Sequence, residues 1–157
     1  MKREIKFRGK LKRTNEWMYG DLAHVQGEPV IQIDVSAENR RTVGMNVDPD
    51  SVGQFVGLHD KNGREIYEGD ILRGDYYPYH DDGVDNYLGV VFFADDDYTW
   101  EVMKFVTAKS ERSGISNFSN DEFYETDFSQ MEVIGNLWDN KGLFRDSDED
   151  IMKWFNG

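Results

Sequence analysis

The chain has 157 residues, a formal net charge of −13 and no cysteine. The length suits one domain of ordinary size, and the lack of cysteine excludes a disulfide framework, a thiol nucleophile and a thiolate metal site. Aromatic residues make up 14% of the chain, enough to build a core although only 38% of residues are hydrophobic. We therefore expect a folded domain rather than a disordered chain.

Hydrophobic and polar residues alternate along most of the chain, which is the period of a β-strand rather than of a helix. Ile31, Ile33 and Val35 alternate with Gln32 and Asp34, as in a strand with one buried face. The run 88–93 is almost continuously apolar, which favours a central strand. The expected strands cover residues 5–8, 17–22, 29–35, 52–58, 64–67, 71–72, 88–93, 99–106 and 131–137.

Polar stretches and turn residues separate these strands. Asn62 and Gly63 have the chemistry of a hairpin turn, because Asn tolerates a turn and Gly accepts positive φ without strain. Several short strands joined by such turns are typical of a small barrel or a sandwich. The predicted loops are residues 36–51, which end on a turn signal at 48–51, residues 74–87 and residues 108–121.

A short helix is expected at the C-terminus. Ser147 and Asp150 have the spacing of a capping box. Ile151, Trp154 and Phe155 follow at helical spacing, so their side chains would lie on one face. The residue patterns therefore predict a mostly β protein with one short C-terminal helix.

Five segments in the same order resemble the YopX family. They are IKFRGK at residues 5–10, GDL at 20–22, VGQFVGLHDKNGREIYEGDI at 52–71, GVV at 89–91 and VIGN at 133–136. The block at 52–71 is the most specific of them. The landmark residues read mainly as structural: we expect Gly57, Gly63, Gly69 and Gly89 at turns or close strand crossings, Tyr67, Ile71 and Val91 in the core, and Asp70 accepting hydrogen bonds from a turn.

The resemblance implies a phage or prophage gene product with an SH3-like β-barrel element and extra N-terminal strands. On this basis residues 1–145 are expected to form one compact unit, with the barrel centred on about residues 50–140. The helical pattern described above makes residues 146–157 a helical tail. The resemblance implies no catalytic residues. It does not extend over residues 73–88 and 107–130.

Positive charge is concentrated at the N-terminus, where residues 1–13 carry +6 and the remainder −19. One interpretation is an arm that binds nucleic acid. The other is an amphipathic strand whose outer cations pair with carboxylates of the acidic body. We favour the strand, because Ile5 and Phe7 alternate with basic residues and the acidic body would repel phosphates. The cations are Lys2, Arg3, Lys6, Arg8, Lys10, Lys12 and Arg13.

No residues have a recognised metal-ligand spacing. Asp146, Asp148 and Asp150 match the first ligands of a calcium loop, but Ile151 stands where the turn glycine is needed and Gly157 where the bidentate glutamate is needed. The histidines are His24, His59 and His80. His80 precedes two aspartates in a predicted loop. We expect no metal, no cofactor and no catalytic residue.

A non-enzymatic module that binds a host or phage protein is the function we expect, because aromatic residues are abundant and no catalytic motif occurs. The candidate contact residues are Tyr76, Tyr77 and Tyr79. A second candidate is an acidic face of the protein, which would bind a host protein that normally binds DNA. The alternative is a small nucleic-acid-binding barrel that uses the basic N-terminal segment. A hydrolase that uses the acidic loops is the least favoured function.

The location that we expect is the cytoplasm of the bacterial host, with no membrane segment. The first residues lack the apolar stretch of a secretion signal. The longest apolar run, residues 88–94, is too short to cross a bilayer. The residue patterns do not indicate an oligomeric state.

Overall fold

Antiparallel β-strands are the main element of the computed structural model, which describes residues 4–36, 41–74, 87–95, 98–105, 120–122 and 129–140. The chain divides into two compact units, Met1–Gly57 and Leu58–Gly157. The expected unit of residues 1–145 and tail of 146–157 stay a prediction. The expected C-terminal helix and Tyr76, Tyr77 and Tyr79 lie outside the described residues.

Eleven strands in the described residues form two sheets. The first sheet has the strand order β4-β3-β2-β1-β5-β6 and the second has the order β10-β9-β8-β7-β11. A single turn of 3-10 helix, Pro49–Ser51, lies between β4 and β5. The strands are β1 Phe7–Lys10, β2 Trp17–Val25, β3 Glu28–Ser36, β4 Arg41–Asn46, β5 Gly53–His59, β6 Glu65–Tyr67, β7 Asp70–Gly74, β8 Tyr87–Ala94, β9 Thr99–Phe105, β10 Asn120–Glu122 and β11 Glu132–Asn136.

The mostly β class is confirmed, but the closed SH3-like barrel is not. In the part of the chain that the structure describes, each sheet ends on two edge strands. The predicted loop 36–51 is wrong at Arg41–Asn46, where β4 pairs with β3. Pairing with a neighbouring strand overrides the polar composition of this segment. The predicted loop 108–121 lies outside the described residues except for its last two, which begin β10.

The core of the first unit lies between strands of the first sheet. Leu11, Ile31 and Val47 are its buried centre, and partly buried residues surround them. Leu11 and Val47 also form an antiparallel bridge, and the Asp48 N–H donates to the Lys10 carbonyl at 2.8 Å. This contact joins the residues that follow β1 to the residues that follow β4, at one end of the sheet. The surrounding residues are Phe7, Met18, Leu22, Ile33, Met45 and Val52.

Within the second unit, the Asp60 carboxylate links the turn at residues 60–64 to strand β11. Oδ1 accepts from the backbone N–H groups of Asn62 at 2.8 Å and Arg64 at 2.9 Å, while Oδ2 accepts from the Val133 N–H at 3.0 Å. Gly63 has the predicted positive φ, 78°. Asp60 is only 5% exposed, and its donor Val133 is buried as well, so this hydrogen bond has little access to water as a substitute.

A second carboxylate closes the turn between β6 and β7. Asp70 accepts from the Tyr67 N–H at 2.9 Å through Oδ2, as the sequence predicts. Gly69, between them, has a φ of 77°, and a side chain there would collide with the ring of Trp138. Tyr67 and Ile71 are buried, in agreement with the expected core.

Glu132 carries an ion-pair network in the second unit. Its Oε2 accepts from Arg73 Nη2 at 2.6 Å and lies 3.3 Å from Lys61 Nζ. The hydrogen bond from Arg73, and next that from Lys61, holds the pKa of Glu132 below its usual value of 4.5. All three side chains are partly exposed, so the network contributes modestly at neutral pH.

We predict that Asp60→Ala lowers the free energy of unfolding by about 3 kcal/mol, because three backbone N–H groups lose their acceptor at about 1 kcal/mol each. Asp60→Asn keeps one oxygen acceptor and should lose less. Asp95→Ala, at an exposed position, is the control and should stay within about 0.5 kcal/mol of wild type. Urea denaturation measures all three, and equal losses for Asp60→Ala and Asp95→Ala would contradict this role.

We predict that Glu132→Gln makes stability less sensitive to acid. Because the pKa of Glu132 is lowered in the folded state, its stabilisation is present above the unfolded pKa and is lost as pH falls through the folded pKa. The melting temperature of wild type should therefore fall further between about pH 7 and about pH 3 than that of Glu132→Gln. Glu16→Gln, at an exposed position, should behave as wild type; identical profiles for both variants would refute the prediction.

Candidate functional site

The basic N-terminal segment forms a strand, and its central cations are buried rather than presented on an outer face. Arg8 is 2% exposed and Lys10 is 7% exposed. The Arg8 guanidinium carbon lies 4.5 Å from the centroid of the Trp17 ring, and Lys10 Nζ lies 5.4 Å from it. Lys10 and Trp17 are direct partners across β1 and β2. These distances are typical of cation–π contacts, so Trp17 holds both cations within the fold.

The other cations of the segment lie at separate places. Lys12 Nζ lies 2.5 Å from Glu28 Oε2, and this hydrogen bond lowers the pKa of Glu28. Arg13 is exposed, and Lys6 is half-buried. The expected pairing of outer cations with carboxylates therefore holds for Lys12. The first two basic residues lie outside the described part of the chain.

A groove of about 390 Å³ lies beside residues 4–6, which precede β1 and do not pair with β2. β1 pairs with β2 only from Phe7, opposite Gly20, to Lys10. Gly20 lies against the backbone carbonyl of Gln32, so that any side chain there would collide with β3. We call this the acidic groove; its lining residues are Glu4, Ile5, Lys6, Tyr19, Gly20, Asp21, Gln32, Ile33, Asp34 and Thr42.

The acidic groove combines carboxylates with exposed apolar surface. Glu4, Asp21 and Asp34 provide three acids against one lysine, and all three are exposed. Ile5 is 62% exposed and Tyr19 is 41% exposed. Asp34 Oδ1 accepts from the Thr42 hydroxyl at 3.1 Å, which orients this carboxylate on the sheet. A surface of this kind suits a cationic ligand with an apolar portion.

The polar groups that line the acidic groove are carboxylates, an amide, a lysine and the hydroxyls of Tyr19 and Thr42. Among the described residues, no serine or histidine lines it. Within the described ranges, no group of three or more His, Asp or Glu side chains is placed to hold a metal ion. His24 and His59 lie on strands β2 and β5, and both are exposed, while His80 lies outside the described residues. The part of the chain that the structure describes contains no helix long and apolar enough to span a membrane.

A second exposed apolar surface lies at the tip of the β8–β9 hairpin. The rings of Phe93 and Trp100 meet edge to face with centroids 5.1 Å apart. Tyr98 is 84% exposed and has a φ of 55°, which is unusual for a non-glycine residue. We call Phe93, Tyr98 and Trp100 the aromatic tip. The sequence signal that could have revealed it is an aromatic residue directly after the acidic turn that begins at Asp95.

The residues of the acidic groove were not recognised as a site in the sequence. They come from the segment before β1 and from strands β2, β3 and β4, so no local motif contains them. Asp21 and Asp34 occupy polar positions of half-buried strands, where a solvated carboxylate is the ordinary expectation. Only the pairing of the strands brings them together.

Comparisons with known proteins agree with this fold. The family model described as YopX protein matches residues 6–145. A crystal structure of protein EF1440 from Enterococcus faecalis is similar, with a TM-score of 0.53 and 19% identity, over 90% of this chain and 99% of that chain. At this identity the likeness concerns the fold alone. No curated protein sequence gives a significant match. Because the family model covers most of the chain, this protein belongs to the YopX family.

Proposed function

We propose that this protein is a non-enzymatic binding module whose acidic groove takes a basic segment of a partner protein. The observation that carries the proposal is the grouping of three exposed carboxylates, Glu4, Asp21 and Asp34, around the exposed side chains of Ile5 and Tyr19. Carboxylates attract a basic segment, and the apolar side chains supply contact area that water would otherwise cover.

The charge of the whole chain supports a basic partner. The net charge of −13 steers a positively charged segment toward the protein and speeds its association, although it adds little to affinity by itself. A peptide that alternates cationic and apolar residues would place its side chains on opposite faces when extended. It could therefore contact the carboxylates of the acidic groove and the rings and methyl groups beside them.

Family membership supports the wider setting of the proposal. The resemblance implies a phage or prophage protein, so we place the module in the cytoplasm of the bacterial host, with a host or phage protein as its partner. The SH3-like barrel is proposed on the same ground. The helix at residues 146–157 is proposed from the capping-box and apolar spacing of its sequence.

The test of the acidic groove is binding of a fluorescein-labelled peptide in which arginine and leucine alternate. The double variant Asp21→Asn/Asp34→Asn should weaken binding about tenfold, because each lost carboxylate removes up to about 1 kcal/mol. Asparagine keeps an oxygen that can accept from Thr42. Fluorescence anisotropy gives the dissociation constants.

The matched control is Glu16→Gln/Asp50→Asn, which removes the same charge from exposed positions of the first unit outside the acidic groove. This variant should bind the peptide within about twofold of wild type, since long-range attraction between exposed charges is screened by salt. Equal weakening by the two double variants would show that net charge, not the groove, governs binding.

Nucleic acid is the alternative ligand, and the structure supports it less. Arg8 and Lys10 are held against Trp17, so they are poorly placed to contact phosphates. Because affinity for DNA grows with the number of phosphates contacted, we predict no measurable binding to random duplex DNA at about 150 mM salt. Micromolar affinity that disappears in Lys12→Ser/Arg13→Ser would make nucleic acid the leading ligand.

A further inference from the structure

Strand β4 differs from the other edge strands of the two sheets in the described residues. Natural proteins protect sheet edges with short strands, bulges, charges or proline. β6 and β10 have three residues each, and β11 carries a register shift between Val133 and Gly135. β4 has six residues, and the stretch from Thr42 to Asn46 contains no charge and no proline. Among the described residues, its edge from Thr42 to Gly44 is therefore open to a further strand.

The register of β4 shows which backbone groups face outward. The Val47 N–H donates to the Pro29 carbonyl at 3.3 Å, so residues an even number of positions from Val47 direct their backbone groups toward β3. Thr42, Gly44 and Asn46 then direct theirs toward the edge. The Asn46 carbonyl accepts from the Lys12 N–H at 3.3 Å, which agrees with this alternation.

A mainly apolar cleft of about 610 Å³ lies along the same edge. It opens because the chain turns away from β4 after the bridge between Leu11 and Val47. Gly44 adds no side chain to the lining of the cleft, and both charged lining residues are cations. We call it the β4 cleft; it is lined by Leu11, Lys12, Arg13, Thr14, Val43, Gly44, Met45 and Asn46.

The charge of the β4 cleft is opposite to that of the whole protein. Arg13 is exposed at its rim, and Arg41, at the start of β4, is exposed as well. Lys12 is engaged by Glu28. A segment added beside β4 would pass close to Arg13, so acidic residues in that segment would be favoured by charge complementarity.

We propose that β4 and the β4 cleft bind an extended acidic segment of a partner protein by strand addition. Backbone groups of that segment pair with Thr42 and Gly44, alternate side chains enter the apolar cleft beside Val43 and Met45, and its carboxylates contact Arg13. Main-chain pairing supplies affinity in such complexes, and the side-chain pocket supplies specificity. This surface shares Thr42 with the acidic groove but prefers the opposite charge.

The test uses a fluorescein-labelled octapeptide in which threonine and valine alternate between terminal aspartates. Gly44→Pro removes the outward N–H and places a ring on the edge, and an edge strand tolerates this change. Gly44→Ala is the matched control, since its Cβ meets Val30 Cγ2 at an ordinary 3.4 Å and the N–H remains. Fluorescence anisotropy should show binding to wild type and Gly44→Ala, and binding at least about tenfold weaker to Gly44→Pro.

Amide hydrogen exchange on the wild-type protein gives a second readout that needs no substitution. The N–H groups of Thr42 and Gly44 should exchange more slowly when the acidic octapeptide is bound. An octapeptide with terminal lysines should bind more weakly than the acidic one. Absence of binding to wild type, unchanged exchange at both residues, equal affinity for the two peptides, or equal affinity of Gly44→Pro and Gly44→Ala would each overturn the proposal.

Sedimentation of the free protein tests whether a second copy of this chain, rather than a partner segment, occupies this edge. We expect the wild-type chain and Gly44→Pro to have the same mass in solution. If wild type were a dimer that Gly44→Pro dissociates, a second copy of this chain would occupy the edge, and the assignment to an acidic partner segment would be wrong.

Discussion

The short pairing between β1 and β2 is the constraint on which both surfaces of the first unit depend. Only Phe7–Lys10 pair with β2, and Arg8 and Lys10 are held against Trp17. Residues 4–6, which precede β1, do not pair with β2, and the acidic groove opens beside them. After β1, Leu11 bridges to Val47 and the chain turns away from β4, which opens the β4 cleft. The four-residue strand β1 therefore lies between the acidic groove and the β4 cleft and fixes where each of them ends.

The same strand changes how the charge of the molecule is displayed. Seven cations in the first thirteen residues indicate a basic arm when the sequence is considered alone. Arg8 and Lys10 make cation–π contacts with the ring of Trp17, and Lys12 forms an ion pair with Glu28. Burying a cation against a ring is favourable only because the ring face and the surrounding structure replace part of its hydration. Of the described cations in the first thirteen residues, Arg13 is left exposed beside the β4 cleft.

Much of the fold could be predicted from the sequence, because alternation and turn chemistry are local signals. The strands around Ile31 and Val90, the hairpin at Gly63 and the turn carboxylate Asp70 follow from residue patterns. β4 could not be predicted, since its polar sequence becomes a strand only through pairing with β3. Closure of a barrel likewise depends on distant pairings that no local pattern encodes.

The candidate site was the least predictable part. The exposed state of Ile5 and Tyr19 contradicts the ordinary expectation that alternating apolar residues are buried. Their exposure depends on where two strands separate, which is a property of the assembled sheet. The reverse holds for Arg8 and Lys10, which are basic residues that the fold buries. In each case the neighbouring strand, rather than the residue type, decides the environment.

The most direct measurement of the central claim is an amide NMR titration of the protein with a peptide of alternating arginine and leucine. The account predicts that the largest shift changes fall at Ile5, Tyr19, Asp21 and Asp34, because these residues meet only in the acidic groove. Changes confined to the aromatic tip at Phe93 and Tyr98, or small changes spread evenly over exposed carboxylates, would contradict it.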